Sequence, residues 1–263
     1  ESQTNVEVDQ RFQDYREKIR SFAGVKPLKP SAGFQGLLRS YQSDGLGWLH
    51  FLQEFKLGGC LADDMGLGKT VQVLALLEKR RTRRLAKTVA TVAGATVAGT
   101  KATDGAKKGT VKDELIESMP DSELATALRA STEIDPWCEA VNAFKRKPTI
   151  VVVPKSLIFN WQDEASRFSP KLRILNYTGT DRKHVAAAAG EFDVLLTTYA
   201  TMRIDIQKLC LIQFDYAILD ESQAIKNSSS LVAKASRLIR SDYRLAMTGT
   251  PIENHLGELW SLF

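Results

Sequence analysis

A glycine-bearing segment near the start of the chain has the residue types that hold the phosphates of a nucleotide. The run Leu61-Ala-Asp-Asp-Met-Gly-Leu-Gly-Lys-Thr70 follows a short apolar stretch and precedes an apolar helical pattern. Glycines let backbone N–H groups approach phosphate oxygens, and the dipole of a following helix favours the same negative charge. Lys69 is spaced to reach the β- and γ-phosphates, and the Thr70 hydroxyl to hold Mg²⁺. The segment predicts ATP and Mg²⁺ as cofactors, Lys69 as a catalytic residue, and a nucleotide-binding loop of Asp63, Asp64, Met65, Gly66, Leu67, Gly68, Lys69 and Thr70.

A second segment places two adjacent carboxylates at the end of an apolar run. In Tyr216-Ala-Ile-Leu-Asp-Glu-Ser-Gln223 the run predicts a strand that ends at Asp220 and Glu221. Neighbouring residues of a strand point to opposite sides, so the two carboxylates can have different tasks. Asp220 is expected to bind Mg²⁺, and Glu221 to orient or deprotonate the attacking water. An Asp-Glu pair is common by itself, but its position downstream of a phosphate loop predicts ATP hydrolysis.

Both motifs need a scaffold, and the rest of the sequence predicts one of alternating strands and helices. Apolar helical patterns run from Leu37 through Leu52 and over 69–80, 156–168 and 229–239. This alternation implies crossover connections, an α/β fold with a parallel central sheet, and helices on both of its faces. Ligands of such sheets bind in the loops after the carboxyl ends of the strands, where both motifs lie. The strand candidates are Gly59–Ala62, Thr149–Val153, Leu172–Asn176, Val194–Thr197, Tyr216–Leu219 and Tyr243–Met247.

Two segments fall outside this alternation. Residues 1–36 are expected to form an N-terminal helical segment, because apolar residues recur there at steps of three or four. Those apolar positions are Phe12, Tyr15, Ile19 and Phe22. The segment of about 81–147 is too long for an ordinary connection between a helix and a strand. Its first half contains low-complexity sequence rich in Ala, Thr, Gly and Lys. We therefore predict one ATP-binding lobe over 37–263, interrupted at 81–147 by a flexible basic insertion.

Composition excludes several other classes of protein. The sequence has no apolar run of eighteen residues, and its polar, acidic beginning lacks the order of a signal peptide. Three distant cysteines, Cys60, Cys138 and Cys210, form neither a disulfide framework nor a zinc pattern, as in a reducing cytosol. The net charge of +5 comes from the stretch 79–112, where ten Lys or Arg residues stand against one acid. The charge therefore describes one segment and does not by itself predict a nucleic-acid surface.

These segments, in this order, resemble the motifs of the Snf-type branch of helicase superfamily two, and are most similar to those of its bacterial members. The resemblance covers about 37–263 apart from the insertion. It is very close at the phosphate loop, where the family also has an acidic residue in place of the first glycine. Two departures are Ser40, where Pro is usual, and Gln223, where many members have His. The matching segments are Leu38-Arg-Ser-Tyr-Gln42, Asp64-Met-Gly-Leu-Gly-Lys-Thr70, Val151-Val-Val-Pro-Lys-Ser-Leu-Ile-Phe-Asn-Trp161, Leu195-Leu-Thr-Thr-Tyr199, Asp220-Glu-Ser-Gln-Ala-Ile-Lys-Asn227, Leu245-Ala-Met-Thr-Gly-Thr-Pro-Ile-Glu-Asn254 and Glu258-Leu-Trp-Ser-Leu-Phe263.

The resemblance implies a RecA-like lobe and roles for further residues. Gln42 would recognise adenine, since an amide offers both a donor and an acceptor. Lys155, Asn160 and Thr198 are similar to residues that contact the phosphate backbone of a nucleic acid. Contacts of this kind are sensitive to salt and tolerant of sequence. The resemblance assigns the coupling between nucleotide state and nucleic acid to Gln223, Thr248, Gly249 and Thr250.

The family further implies a motor that couples ATP hydrolysis to movement along double-stranded DNA and displaces proteins bound to it. Two similar lobes close around ATP in such motors, and the second supplies an arginine worth about a thousandfold in rate. No such arginine motif occurs before Phe263, and the chain lacks an initiator Met, so we expect a first lobe whose second lobe belongs to the same longer chain. This lobe alone would be nearly inactive, and the full protein would be cytoplasmic and associated with the bacterial nucleoid.

Three other functions remain open at this point. An RNA helicase of the same superfamily would share the phosphate loop and a similar acid pair, although the Met-Gly-Leu-Gly-Lys-Thr and Ile-Lys-Asn segments favour the Snf-type branch. A non-catalytic ATP-binding module is opposed by the intact phosphate loop and acid pair. A DNA-binding module led by the basic stretch would lose binding when residues 79–112 are deleted and keep it when Lys69 is replaced.

Overall fold

In the computed structural model of the chain, the described residues are 16, 20, 24–95, 146–179, 191–225, 227 and 229–249, with the backbone alone described over 87–95. In chain order the elements are α1 Ser40–Glu54, β1 Gly59–Leu61, α2 Lys69–Ala95, β2 Thr149–Val153, α3 Ile158–Phe168, β3 Ile174–Tyr177, β4 Val194–Thr198, α4 Tyr199–Ile204, α5 Ile206–Leu209, β5 Gln213–Leu219, α6 Leu231–Leu238 and β6 Arg240–Met247. Two short 3₁₀ turns, Lys155–Leu157 and Ser222–Ile225, follow β2 and β5.

The six strands form one parallel sheet in the order β1-β6-β5-β2-β4-β3. All six strand predictions are confirmed, although β5 and β6 each begin three residues earlier than predicted. Every residue of β2 and β4 is buried, the pattern of parallel strands covered on both faces. Because the strands are parallel, their carboxyl ends lie along one edge of the sheet, where ligands of such sheets bind.

Helices cover both faces of the sheet, because successive side chains of a strand point to opposite sides. On one face, α1, α2 and α3 share a core with Val151, Val153 and Ile218. On the other face, α4 and α6 share a core with Ile150 and Val152. The two faces are therefore filled by alternate residues of the same strands, and the predicted α/β architecture is confirmed.

The helix after the phosphate loop is longer than the sequence predicts. α2 continues to Ala95, so the prediction that this helix ends at Arg80 is wrong, while the bounds of the insertion stay a prediction. Ala and Arg, which are frequent in this stretch, have high helix propensity even in low-complexity sequence. Residues 96–145 lie outside the described part of the chain, and the flexible insertion there stays a prediction.

A buried acid near the start of β5 anchors the longer helix to the sheet. Asp215 accepts hydrogen bonds from the guanidinium groups of Arg80, at 2.6 Å, and Arg84, at 3.0 Å. The Arg80 guanidinium also lies over the rings of Tyr216 and Tyr243, at 5.2 and 4.9 Å from their centroids. The Arg80 side chain thus joins α2 to β5 through a mostly buried ion pair and to β6 through the ring of Tyr243. Breaking such an ion pair leaves an unpaired buried charge, which lowers stability.

Some predictions concern residues that the structure does not describe. The apolar positions of the predicted N-terminal helix, from Phe12 to Phe22, lie outside the described residues, as do Thr250 and the segment 251–263. The lobe boundaries therefore stay predictions. Within the described ranges, no helix is both long enough and apolar enough to cross a membrane.

Candidate nucleotide and metal site

The chemical motifs meet along the edge of the sheet where the parallel strands end. The phosphate loop follows β1, Thr248 follows β6, and the acid pair follows β5, in that spatial order. Backbone hydrogen bonds join these loops to their neighbours, from Thr248 N to Leu61 O at 3.1 Å and from Asp220 N to Val152 O at 2.9 Å. The loops after β2 and β4, which carry the predicted nucleic-acid residues, lie beyond the acid pair. Along this edge, Asp220 therefore lies between the predicted nucleotide-binding residues on one side and the predicted nucleic-acid-binding residues on the other.

The phosphate loop is folded around its own lysine. Lys69 is 8% exposed, and its ammonium donates hydrogen bonds to the backbone carbonyls of Asp63 at 2.6 Å and Asp64 at 3.1 Å. Gly66 and Gly68 have φ of +82° and +77°, which residues with a Cβ rarely adopt. Among the described atoms, none lies within 4 Å of the place that a Cβ on Gly66 would take. The loop backbone is therefore open where phosphate oxygens would approach its N–H groups.

Two further contacts fix the loop. The Asp63 carboxylate accepts a hydrogen bond at 2.7 Å from the side-chain amide of Gln72, which is buried in α2. The Met65 side chain is 72% exposed and lies against Gly249, with its Cγ 3.3 Å from the position that a Cβ there would take. The phosphate loop thus contacts the predicted coupling segment directly.

Helix α1 supports the same loop through Tyr41 and Gln42, whose side chains both donate hydrogen bonds to the Leu67 carbonyl at 3.1 Å. The Gln42 side-chain oxygen accepts a hydrogen bond from the backbone N of Arg39 at 2.9 Å. A Cβ on Gly68 would come within 2.6 Å of the Gln42 amide nitrogen. Gln42 is therefore buried against the phosphate loop and holds it in place, and its predicted contact with adenine stays a prediction.

Asp220 is buried, and its two carboxylate oxygens have separate donors. Trp161 Nε1 donates to Oδ2 at 2.8 Å, and the backbone N of Glu221 donates to Oδ1 at 2.9 Å. The Tyr199 hydroxyl donates to the Asp220 backbone carbonyl at 2.7 Å. Burial raises the pKa of Asp220, while the two donors to its carboxylate and the charge of Lys69 oppose that rise. Donors from α3, α4 and the backbone therefore hold Asp220 at the end of β5.

Glu221 adopts a left-handed backbone conformation with a φ of +49°, which costs about 1 to 3 kcal/mol for a residue with a Cβ. Its carboxylate accepts a hydrogen bond from Gln223 Nε2 at 2.5 Å. Gln223 Oε1 in turn accepts a hydrogen bond from the Thr248 hydroxyl at 3.0 Å. A continuous hydrogen-bonded chain therefore joins the coupling segment after β6 to the carboxylate that is predicted to orient water.

One acid at the site was not predicted from the sequence. The Glu164 side chain on α3 lies near Thr70 and Asp220, and both affect the pKa of its carboxyl. Burial is the main cause that raises the pKa of Glu164, and nearby Arg167 and Thr70 oppose it. Its Oε2 atom is buried and has no hydrogen-bond partner among the described residues. The spacing of Trp161 and Glu164 puts both on one face of α3, but nothing in the local sequence tells which strand end that face meets.

The donors at the site fit Mg²⁺. The Thr70 hydroxyl, the Asp220 carboxylate and the unpartnered carboxylate oxygen of Glu164 are hard oxygen donors. Mg²⁺ prefers such donors and usually completes its shell with water and phosphate oxygens. In the ranges that the structure describes, no three His, Cys, Asp or Glu side chains form a complete metal-binding group. These oxygen donors suit an ion whose remaining ligands are water and the phosphates of a nucleotide.

The three predicted nucleic-acid residues differ in exposure. Lys155 begins the 3₁₀ turn after β2, Asn160 lies in the first turn of α3, and both are exposed beside the exposed ring of Phe159. Thr198 is 8% exposed and caps α4, where its hydroxyl accepts from the backbone N of Thr201 at 3.1 Å and donates to its Oγ1 at 3.0 Å. This geometry favours a helix-capping role for Thr198, whereas Lys155 and Asn160 have side chains open to a nucleic acid.

Comparison with known proteins gives curated relatives along nearly the whole chain. The chain is 30% identical over 256 residues to TATA-binding protein-associated factor MOT1 of Saccharomyces cerevisiae, a match of 97% of this chain and 11% of the yeast protein. It is 32% identical over 244 residues to ISWI chromatin-remodeling complex ATPase CHR17 of Arabidopsis thaliana, covering 91% of this chain and 17% of that protein. YwqA of Bacillus subtilis, whose name describes an ATP-dependent helicase/translocase, is 30% identical over 94% of this chain and 21% of its own length.

A solved structure is similar to the chain in both fold and sequence. The Sulfolobus solfataricus SWI2/SNF2 ATPase core in complex with dsDNA matches with a TM-score of 0.60 and 29% identity, over 92% of this chain and 37% of that chain. The chain thus spans from 11% to 37% of the length of these relatives. Residues 41–263 match the model of the SNF2-related domain. The chain is therefore a member of the SNF2-related domain family, with the RecA-like α/β fold of the SWI2/SNF2 ATPase cores.

Proposed function

We propose that the chain is the ATP-binding lobe of a DNA-dependent ATPase that couples ATP hydrolysis to translocation along double-stranded DNA. The observation that carries this proposal is the meeting of the phosphate loop and the acid pair. Thr248 joins the two: its backbone N donates to Leu61 O, just before the phosphate loop, at 3.1 Å, and its hydroxyl donates to Gln223, which in turn donates to Glu221. Two groups that share a nucleotide-bound magnesium ion must meet in this way.

The surroundings of each residue define its task in this proposal. Lys69 exchanges its bonds to the loop carbonyls for oxygens of the terminal phosphates. Thr70 and Asp220 hold Mg²⁺, which when bound neutralises charge on the transferring phosphoryl group. Glu221, held by Gln223, orients the attacking water and accepts its proton.

The proposed nucleic acid is duplex DNA. Exposed Lys155 and Asn160 supply a charge and an amide at the edge of the lobe that carries the acid pair. The Sulfolobus relative is a complex with dsDNA, which favours DNA over the RNA substrate of other superfamily members. Contacts to the phosphate backbone position a protein without reading sequence, so binding is expected to weaken with salt and to tolerate sequence changes.

Further partners belong to the full-length protein. We propose a second RecA-like lobe in the same chain, because the described lobe corresponds to 37% of the Sulfolobus core. The name of the yeast relative associates it with a TATA-binding protein, which supports a DNA-bound protein as the displaced target. If the source is bacterial, such a motor works in the cytoplasm at the nucleoid.

The test is ATP hydrolysis by the full-length protein without nucleic acid, with duplex DNA and with duplex RNA. We expect stimulation by DNA and not by RNA. Lys69→Ala is expected to abolish nucleotide binding, because it removes the cation that meets the terminal phosphates. Lys171→Ala, at an exposed lysine beyond the opposite end of the strands, is the matched control. Stimulation by RNA alone, or full turnover by Lys69→Ala, would contradict the proposal.

A deletion separates this proposal from a simple DNA-binding module. Because α2 extends to Ala95, the deletion must begin after that residue and remove 96–112. The proposed motor keeps its DNA-stimulated hydrolysis after this deletion. Loss of both DNA binding and stimulation would instead favour a DNA-binding module led by the basic stretch.

A further inference from the structure

Each of the two segments that the family resemblance assigns to nucleic acid also holds Asp220. Trp161 in α3 donates to the Asp220 carboxylate at 2.8 Å, and Tyr199 at the start of α4 donates to its backbone carbonyl at 2.7 Å. α3 packs on one face of the sheet and α4 on the other, so the two donors reach Asp220 from both faces. Their side chains are buried, and neither is available for stacking on a base.

Glu164 brings a second carboxylate to the same site. It lies one helical turn after Trp161, so both side chains leave α3 on the same side. Glu164 Oε2, which is buried without a hydrogen-bond partner among the described residues, suits a metal-bound water.

We propose that Trp161 and Tyr199 are positioning residues for the magnesium ligand Asp220, that the Glu164 carboxylate accepts a hydrogen bond from a metal-bound water, and that α3 thereby links nucleic-acid contact to magnesium binding. This inference rests on the proposed function, because it requires Asp220 to hold the ion.

The exposed end of the same unit explains how the link would work. Lys155, six residues before Trp161, begins a 3₁₀ turn that runs directly into α3, and Asn160, the residue before Trp161, lies in the first turn of α3. A nucleic acid that displaces this turn also displaces the indole N–H relative to Asp220. Magnesium affinity then changes with no change in the phosphate loop itself.

The test uses the full-length protein and a fluorescent ATP analogue, whose binding is titrated with Mg²⁺ in the absence of DNA. Trp161→Phe and Tyr199→Phe each remove one donor, and Glu164→Ala removes the buried carboxylate that would accept from a metal-bound water. Loss of a group that orients a metal ligand typically weakens metal binding by 10- to 100-fold, so we expect roughly 10-fold weaker apparent Mg²⁺ affinity. Glu164→Gln keeps an oxygen acceptor and is expected to recover part of the loss.

Matched controls make the same Trp→Phe and Tyr→Phe substitutions at positions that do not contact Asp220. Trp48→Phe changes an indole of α1 that packs against the same core. Tyr177→Phe removes a buried hydroxyl that donates to Asp205 at 2.9 Å. Both controls are expected to keep the wild-type Mg²⁺ dependence even if their melting temperatures fall. Wild-type Mg²⁺ affinity in both Trp161→Phe and Tyr199→Phe, whatever their stability, would overturn the proposal.

A second arm repeats the titration with duplex DNA. Coupled sites change each other's affinity by the same factor, typically between 5- and 150-fold, so we expect DNA to tighten Mg²⁺ binding by at least about 5-fold in the wild type. Trp161→Phe is expected to lose most of this effect, and an equal effect in variant and wild type would overturn the link through α3. Failure of the proposed function would give a different result from failure of this inference. The wild type would then show no DNA-stimulated ATP hydrolysis, whereas the titration without DNA would still show whether Trp161 and Tyr199 affect Mg²⁺ affinity.

Discussion

Replacing Thr248 with valine tests the hydrogen-bonded chain that ends at Glu221. Valine has nearly the shape of threonine, and Thr248 is 2% exposed, so the change removes the hydroxyl donor and keeps the packing at the end of β6. The lost bond to Gln223 measures 3.0 Å. A neutral hydrogen bond of this kind contributes about 1 kcal/mol, which is a factor of about five in an equilibrium. If Gln223 holds Glu221 only while Thr248 fixes its amide, kcat with DNA falls by about fivefold.

The assay is steady-state ATP hydrolysis by the full-length protein with saturating duplex DNA, beside equilibrium binding of a non-hydrolysable ATP analogue. Analogue affinity is expected to stay within about twofold, since a substitution that leaves the phosphate loop intact has a small effect there. Unchanged kcat would show that the Thr248 hydroxyl does not control Glu221. A loss of analogue affinity as large as the loss of kcat would place Thr248 in nucleotide binding instead.

Thr149→Val is the matched control for that measurement. Thr149 is a fully buried threonine at the amino end of β2, and in the part of the chain that the structure describes its hydroxyl has no hydrogen-bond partner. The control is expected to keep the wild-type kcat. Its free energy of unfolding is expected to stay the same or rise slightly, because a buried hydroxyl without a partner is unfavourable.

Three further substitutions test separate parts of the lobe. Gly68→Ala places a Cβ 2.6 Å from Gln42 Nε2 at a φ of +77°, so nucleotide affinity in an equilibrium titration is expected to fall by about tenfold or more; wild-type affinity would refute a tight fit there. Asp215→Asn leaves two guanidinium groups of α2 without their charged partner, and urea denaturation is expected to show a loss of about 3 kcal/mol in unfolding free energy. A loss near zero would show that this ion pair does not anchor the helix. Glu221→Gln in the full-length protein is expected to bind ATP and block turnover, and undiminished hydrolysis would rule out its role with water.

The sheet and the position of its ligand edge were predictable because their signals are local. The five buried residues Thr149–Val153 form a largely apolar run bounded by Pro148 and Pro154, and the predicted strand matches the observed one residue for residue. Once the strands are parallel, the loops at Lys69 and Asp220 must emerge at the same edge, whatever the details of packing. The proposed magnesium site thus follows from strand order together with the types of two side chains.

The end of α2 was not predictable from local sequence, because distant contacts contribute to it. Low complexity after Arg80 suggested a mobile insertion, yet Arg84 hydrogen-bonds to Asp215, which lies 131 residues further along the chain. The sequence also contains no sign that a carboxylate would be buried at that place. Helix propensity and a distant ion pair together support a helix that runs past the predicted boundary.

The contacts of Trp161 and Glu164 near Asp220 were not predicted from the sequence, for a related reason. The helical pattern around Trp161 indicated a core residue, and its side chain is indeed 2% exposed. The destination of its N–H is a tertiary contact, since Asp220 lies 59 residues further along the chain. Glu164 was missed because a glutamate in an amphipathic helix ordinarily faces solvent. Only the placement of α3 over the end of β5 gives that side chain its contact with Thr70.

A structure of the full-length protein with a non-hydrolysable ATP analogue and Mg²⁺ tests the shared site most directly. We predict one ion about 2.1 Å from Thr70 Oγ1, bound to Asp220 directly or through one water, with the terminal phosphate beside the Lys69 ammonium. A triphosphate or an ion bound away from either Thr70 or Asp220 would contradict the proposed ATPase site.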